Sequence, residues 1–179
     1  NTFINYNKGN DRIGMRLLEI SDCIIEDNEF NGYVNAIWLE SGSNNNIISY
    51  NNIINNSEGI LFFWECRNNI FSHNNFINNK KLNALNYCTN IWDDGEYGNY
   101  WSDYEEKYPN ASKLFFKGIW DTPYTISTLN NDTCPLIRKW TKSSPKTKEE
   151  ELNPLKKDKT RSTSKYTNGK QTILSQLFK

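Results

Sequence analysis

Asn28, Asn51 and Asn74 open one short phrase three times, as NEFNG, NNIIN and NNFIN, at an interval of 23 residues. A weaker copy, NTFIN, begins at Asn1, 27 residues before Asn28. A chain that repeats at so short a period cannot bury a core within one repeat. It has to stack its repeats, and it folds as a solenoid. Spacing inside the repeat then decides the secondary structure. Ile60 and Phe62 are two apart, and so are Asn51 and Ile53. That is the alternation of a strand and not the recurrence of a helix.

Aligning the repeats predicts columns of like residues. Met15, Ile37 and Ile60 form one, and Leu17, Leu39 and Phe62 the next. Ile24, Ile47 and Ile70 follow, then Asn28, Asn51 and Asn74, then Phe30, Ile53 and Phe76. Asn-rich corners such as Asn44–Asn46 and Asn55–Asn56 separate them. Short strands joined by Asn corners describe the coils of an all-β fold, a right-handed parallel β-helix. Each coil pairs its backbone with the coils on either side, and the apolar columns are expected to fill a narrow core. The column of Asn28, Asn51 and Asn74 is expected to be a structural ladder. An amide turned inward at a corner can hydrogen-bond to its counterpart in the next coil, satisfying groups that would be costly alone. Four coils result, at about 1–27, 28–50, 51–73 and 74–92, the first with a protruding loop in 8–12.

Composition supports this division. Asn takes 29 positions, 24 of them before residue 100, and Asn is a poor helix former that tolerates left-handed backbone at turns. The zero net charge hides two unlike parts. Residues 1–137 hold 9 Lys/Arg against 17 Asp/Glu, and residues 138–179 hold 12 against 4. The chain therefore divides into coils (1–92), a segment rich in Trp and Tyr that breaks the period (93–136), and a basic low-complexity tail (137–179) that reads as disordered. An open solenoid end exposes apolar core and unpaired strand edges. A bulky aromatic segment directly after the last coil is what a C-terminal cap requires. No transmembrane run or signal peptide is visible, and the chain starts inside a repeat, so further coils are expected upstream.

Cys23, Cys66, Cys88 and Cys134 show no C-x-x-C spacing, which argues against zinc. Cys66 and Cys88 are 22 residues apart and belong on neighbouring coils, where either a disulfide or two buried thiols would fit.

Residues 90–104 read NIWDDGEYGNYWSDY, and residues 118–136 read GIWDTPYTISTLNNDTCPL. These two runs resemble the end of NosD-type parallel β-helix proteins, and the resemblance covers roughly residues 1–137. It implies an exported or cell-surface protein of archaeal or bacterial type. One stretch departs from the pattern. Relatives often carry an acid-rich loop before DTPY, able to hold calcium. Here 108–124 reads YPNASKLFFKGIWDTPY, and only Asp121 keeps its acid. Calcium needs several oxygen ligands. The resemblance also brings copper handling, which needs soft or imidazole donors. The chain holds one His (His73), one Met (Met15) and four scattered Cys, a poor copper set.

Candidate chemistry lies in three places. Tyr33, Trp38, Tyr50 and Trp64 read as outward aromatics able to stack on sugar rings. Asp93, Asp94, Glu96 and Asp103 cluster in the cap, either as a cation site, with calcium the candidate, or as turn residues bonding backbone amides. Asn55, Asn110 and Asn131 begin N-x-S/T triplets. Acids do not recur at any one repeat position, as a polysaccharide-cleaving site stacked on the coils would require. The expectation is thus a non-catalytic exported β-helix module that presents a binding surface for carbohydrate or cell-envelope partners. It has no transmembrane segment and no specific nucleic-acid partner. A fragment of a polysaccharide lyase or hydrolase and a copper-handling accessory protein are the alternatives.

Overall fold

The computed structural model describes residues 2–4, 13–85 and 88–141. The loop expected in 8–12 and the tail beyond residue 141 lie outside the described residues. Strands β1 (Thr2–Ile4), β2 (Ile13–Leu18) and β3 (Ile24–Glu26) form the first coil. β4 (Glu29–Asn31), β5 (Asn35–Glu40) and β6 (Ile47–Ser49) form the second. β7 (Asn52–Ile54), β8 (Glu58–Phe62) and β9 (Ile70–Ser72) form the third, and β10 (Asn75–Ile77) and β11 (Leu82–Leu85) begin the fourth. Strands at equivalent places pair in parallel, giving sheets ordered β1-β4-β7-β10, β2-β5-β8-β11 and β3-β6-β9. The fold is an all-β parallel solenoid of about four turns.

The register follows the chemical columns. Met15 lies opposite Ile37 and Ile37 opposite Ile60; Leu17, Leu39 and Phe62 align in the same way. Phe30, Ile53 and Phe76 align in the first sheet and are fully buried. One apolar column faces the other way. Ile24, Ile47 and Ile70 do stack, but Ile24 is 64% exposed, and the buried column is the next one along, Ile25, Ile48 and Phe71. Two adjacent apolar residues offer the sheet two registers one residue apart, and alternation sends one of them outward in either case. What decides is the corner that follows. Asp27, Tyr50 and His73 all take left-handed backbone, with φ of 57°, 59° and 58°, which turns the next residue, the ladder asparagine, into the core.

Three asparagine ladders run along the stack. In the first, Asn28 donates its backbone N–H and side-chain amide to Asn51 Oδ1 at 3.0 and 3.1 Å. Asn51 does the same to Asn74, and Asn74 to Asn99. A second ladder joins Asn46, Asn69 and Asn90. A third joins Asn56 to Asn79, and Asn79 to Asn83.

The cap continues both the ladders and the core. β12 (Tyr100–Trp101) adds a fifth strand to the first sheet, placing Trp101 opposite Phe76. The helix α1 (Tyr104–Lys107) follows, then the hairpin β13 (Lys113–Leu114) and β14 (Ile119–Trp120), and the hairpin β15 (Tyr124–Ser127) and β16 (Asn130–Asp132). Rings close the end of the core in flat stacks: Phe76 on Trp101 at 4.3 Å, and Trp101 on Tyr124 at 4.1 Å. β16 terminates two ladders. Asn130 Oδ1 accepts the Asn90 N–H, and Asp132 Oδ2 accepts the Asn99 N–H.

Candidate functional site

On the outer face of β2-β5-β8-β11, strand alternation sends Ile37 and Leu39 into the core and leaves Trp38 half-buried on the outside. Arg16 stands in register beside Trp38 and pairs with Glu40, whose carboxylate is almost fully covered. After β8 the chain reads Phe63-Trp64. The Phe63 ring tilts against Trp38 at 5.0 Å, and Trp64 is 72% exposed. Trp64 takes left-handed backbone, φ 50°, and its carbonyl accepts the Gly42 N–H at 3.0 Å. The indole is thus fixed at its base and open to solvent. An Arg67–Glu65 pair at 3.6 Å lies next to it in the chain. Phe63 is the member that sequence reasoning missed; the apolar run Phe62-Phe63-Trp64, one residue longer than the strand needs, was its signal.

The other two aromatics go elsewhere. Tyr33 is half-buried at the corner leading into β5, where its N–H donates to Asn56 Oδ1. Tyr50 is half-buried at the opposite corner, against His73 at 4.9 Å and Trp140 at 5.1 Å. His73 itself is only 3% exposed, and Trp140 packs edge-on against it at 4.5 Å. The His73 Nδ1 has no hydrogen-bond partner and lies 3.7 Å from Asp94 Oδ2. Burial holds the imidazole below its ordinary pKa, and the Asp94 charge opposes that shift.

The acids of the cap do not share one point. Asp93 accepts the Gly95 N–H and, through its other oxygen, the Thr133 N–H and hydroxyl. Asp94 Oδ1 accepts the N–H groups of Glu96 and Tyr97. Asp103 faces a different neighbourhood, accepting from Asn83 Nδ2 and the Tyr124 hydroxyl. The Glu96 side chain is exposed. Among the described residues, no group of three or more His, Cys, Asp or Glu could hold a metal ion. Asn55, Asn110 and Asn131 are all exposed.

A family model described as periplasmic copper-binding protein (NosD) matches residues 1–106. The chain belongs to the NosD family. No curated protein and no solved structure matches it. The match takes in all the coils and runs through β12 into α1, so the NosD unit here includes the start of the cap. The family is periplasmic by description, and no helix among the described residues is long and apolar enough to cross a membrane.

The donor set does not fit the copper of the NosD description. Copper is held by thiolate, thioether or imidazole. His73 is buried among rings, and Met15 packs against the apolar core. None of the four cysteines is in a disulfide: Cys23 is exposed, Cys66 buried, and Cys88 and Cys134 half-buried. Burial raises the pKa of Cys66 and of Cys134, which disfavours the thiolate a metal needs.

Proposed function

We propose that this NosD-family chain is a non-catalytic binding module, and that Trp38, Phe63 and Trp64 form its carbohydrate-facing platform. The exposed indole of Trp64 carries the reading. The corner it occupies needs left-handed backbone, and Glu19 and Ser41 supply that at the equivalent places of the two preceding coils, with φ of 54° and 53°. A polar residue therefore serves the turn. A tryptophan there gains the fold nothing from burial and adds an ordering cost, because a bulky side chain with positive φ is unusual.

An apolar ring beside charged groups suits a sugar, whose ring carries C–H groups on one face and hydroxyls around the edge. Trp64 and Phe63 offer the flat surface, and the Arg16–Glu40 and Arg67–Glu65 pairs offer donors and acceptors near it. Cell-envelope polysaccharide is the substrate class that a periplasmic family meets. In this reading Tyr33 and Tyr50 stay outside the platform, the cap acids Asp93 and Asp94 hold turns together, and Asp103 ties Asn83 to Tyr124.

A glycan array probed with the wild-type chain and with Trp64→Ala tests this. The wild type should bind a restricted set of glycans without releasing product. The variant should lose about tenfold or more, since stacking on one aromatic is worth about 1.4 kcal/mol. Its melting temperature should stay put, because an exposed side chain is removed. A silent array, or equal binding by Trp64→Ala, sinks the proposal.

A further inference from the structure

The hairpin formed by β13 and β14 carries an apolar tip that the fold does not use. Leu114 is 38% exposed, Phe115 68% and Phe116 110%, so Phe116 projects wholly into solvent. The turn below them is well made. Lys117 and Gly118 both donate their N–H groups to Leu114 O at 2.9 Å, and Gly118 takes φ +73°, where glycine is at ease. Further bonds hold the hairpin base to the rest of the cap. The Trp120 N–H donates to Pro135 O, the Ile137 N–H to Gly118 O, and the Asp121 N–H to Ser112 O. Turns of this kind ordinarily carry polar residues at the tip. Two adjacent phenylalanines held outward on a rigid support fit insertion into something apolar.

Charge around the tip narrows what that is. Lys113 flanks it on one side and Lys117 on the other. The chain returns along the hairpin, where the Ile137 N–H meets Gly118 O at the end of the turn, and the exposed Arg138 and Lys139 follow directly in the chain. Lys113 is neutralised by Glu105 at 2.8 Å. Among the described residues, Lys117, Arg138 and Lys139 have no ion-pair partner. The acids nearest the hairpin in the chain are Glu105 and Glu106 on α1, and Asp121, which already accepts the Ser112 N–H and the Thr122 hydroxyl. Apolar side chains at the centre and free cations around them match an acyl layer beneath anionic headgroups.

We propose that the Leu114–Lys117 tip docks this protein on an anionic lipid bilayer, with Phe115 and Phe116 entering the acyl boundary and Lys117, Arg138 and Lys139 meeting the headgroups. The site is separate from the Trp64 platform, and neither depends on the other. Docking by the cap would leave the lateral faces of the coils open to polymer near the membrane surface.

Sedimentation of the full chain with vesicles tests the proposal, using phosphatidylglycerol–phosphatidylcholine vesicles against pure phosphatidylcholine. The wild type should pellet with the anionic vesicles and be released as salt shortens the screening length. The double variant Phe115→Ser/Phe116→Ser should weaken binding about tenfold or more, since each phenylalanine loses its apolar burial. Lys117→Glu should also weaken it, by about fivefold or more. Melting temperatures equal to the wild type confirm that both variants fold. A wild type that stays in the supernatant overturns the proposal. So does undiminished binding by the double variant, which would assign the attraction to the basic tail alone. Sedimentation velocity supplies one more outcome: a wild-type dimer that the double variant turns into a monomer, with no lipid binding, would make the tip a contact between copies and also overturn it.

Discussion

Asn99 donates both its backbone N–H, at 2.7 Å, and its side-chain amide, at 3.4 Å, to the single oxygen Asp132 Oδ2. That oxygen also accepts the Trp101 indole N–H at 2.8 Å, and the other accepts the Cys134 N–H at 3.1 Å. Asp132 is fully buried. A ladder whose links all donate in one direction, from Asn28 through Asn51, Asn74 and Asn99, thus ends on a carboxylate.

Removing an inner rung should cost more than removing the first. Asn74→Ala takes the acceptor from both the N–H and the amide of Asn51, in a fully buried place. The loss should be about 3 kcal/mol. Asn28→Ala should cost about 1 kcal/mol, because Asn51 Oδ1 keeps the backbone N–H of residue 28. Urea unfolding of the two variants gives the comparison, and equal midpoints would show that the ladder is not cooperative.

Gly98 sits against the terminating acid. A Cβ at that position would lie 1.8 Å from Asp132 Oδ1. Gly98→Ala should therefore destabilise by about 3 kcal/mol or more, through displacement of the carboxylate. Gly95→Ala is the control. It has open space around it but φ of +92°, so only backbone strain of about 1 kcal/mol is expected. Thermal melts that rank the two variants the other way round would refute the account.

Stability should depend on pH through Asp132. Burial pushes its carboxyl up to about 7, against the pull of its N–H donors. An unfolded aspartate releases its proton near about 4, so folding binds a proton between these values. The contribution is complete below about pH 4 and is lost as pH rises through about 7. His73 acts in the opposite sense. Its burial lowers its pKa, so its contribution is present above about 6.5 and is lost as pH falls. The difference between wild type and Asp132→Asn isolates the first effect. The wild type should lose more melting temperature between about pH 5 and pH 8 than the variant does, and parallel profiles would contradict this.

Two tryptophans should respond unequally to truncation. Trp101 is buried between the rings of Phe76 and Tyr124, at 4.3 and 4.1 Å, and closes the end of the core. Trp101→Ala should cost about 3–5 kcal/mol and expose the last strand of the first sheet. Trp38 only leans on Phe63 and has an indole N–H without a partner, so Trp38→Ala should cost about 1–2 kcal/mol. Chemical denaturation separates the two, and a Trp38→Ala loss as large as that of Trp101→Ala would mean the platform is part of the core.

The 23-residue recurrence was enough to determine the coils, the strand alternation and the register of most columns, because each coil repeats the same chemistry in the same place. The ladder of Asn28, Asn51 and Asn74 could be read from that recurrence alone. Tertiary structure decided the rest. It chose Ile25 over Ile24 for the core, since period-two alternation is blind to a shift of one residue. It ended two ladders on Asn130 and Asp132, 40 and 33 residues beyond the rungs they complete, and hydrogen bonds of that reach leave no periodic trace. It brought Trp38 against Phe63, the residue before the exposed Trp64, while leaving Tyr33 and Tyr50 at other corners. Which aromatics share a surface depends on how three faces wrap around one core, and a list of residues does not contain that angle.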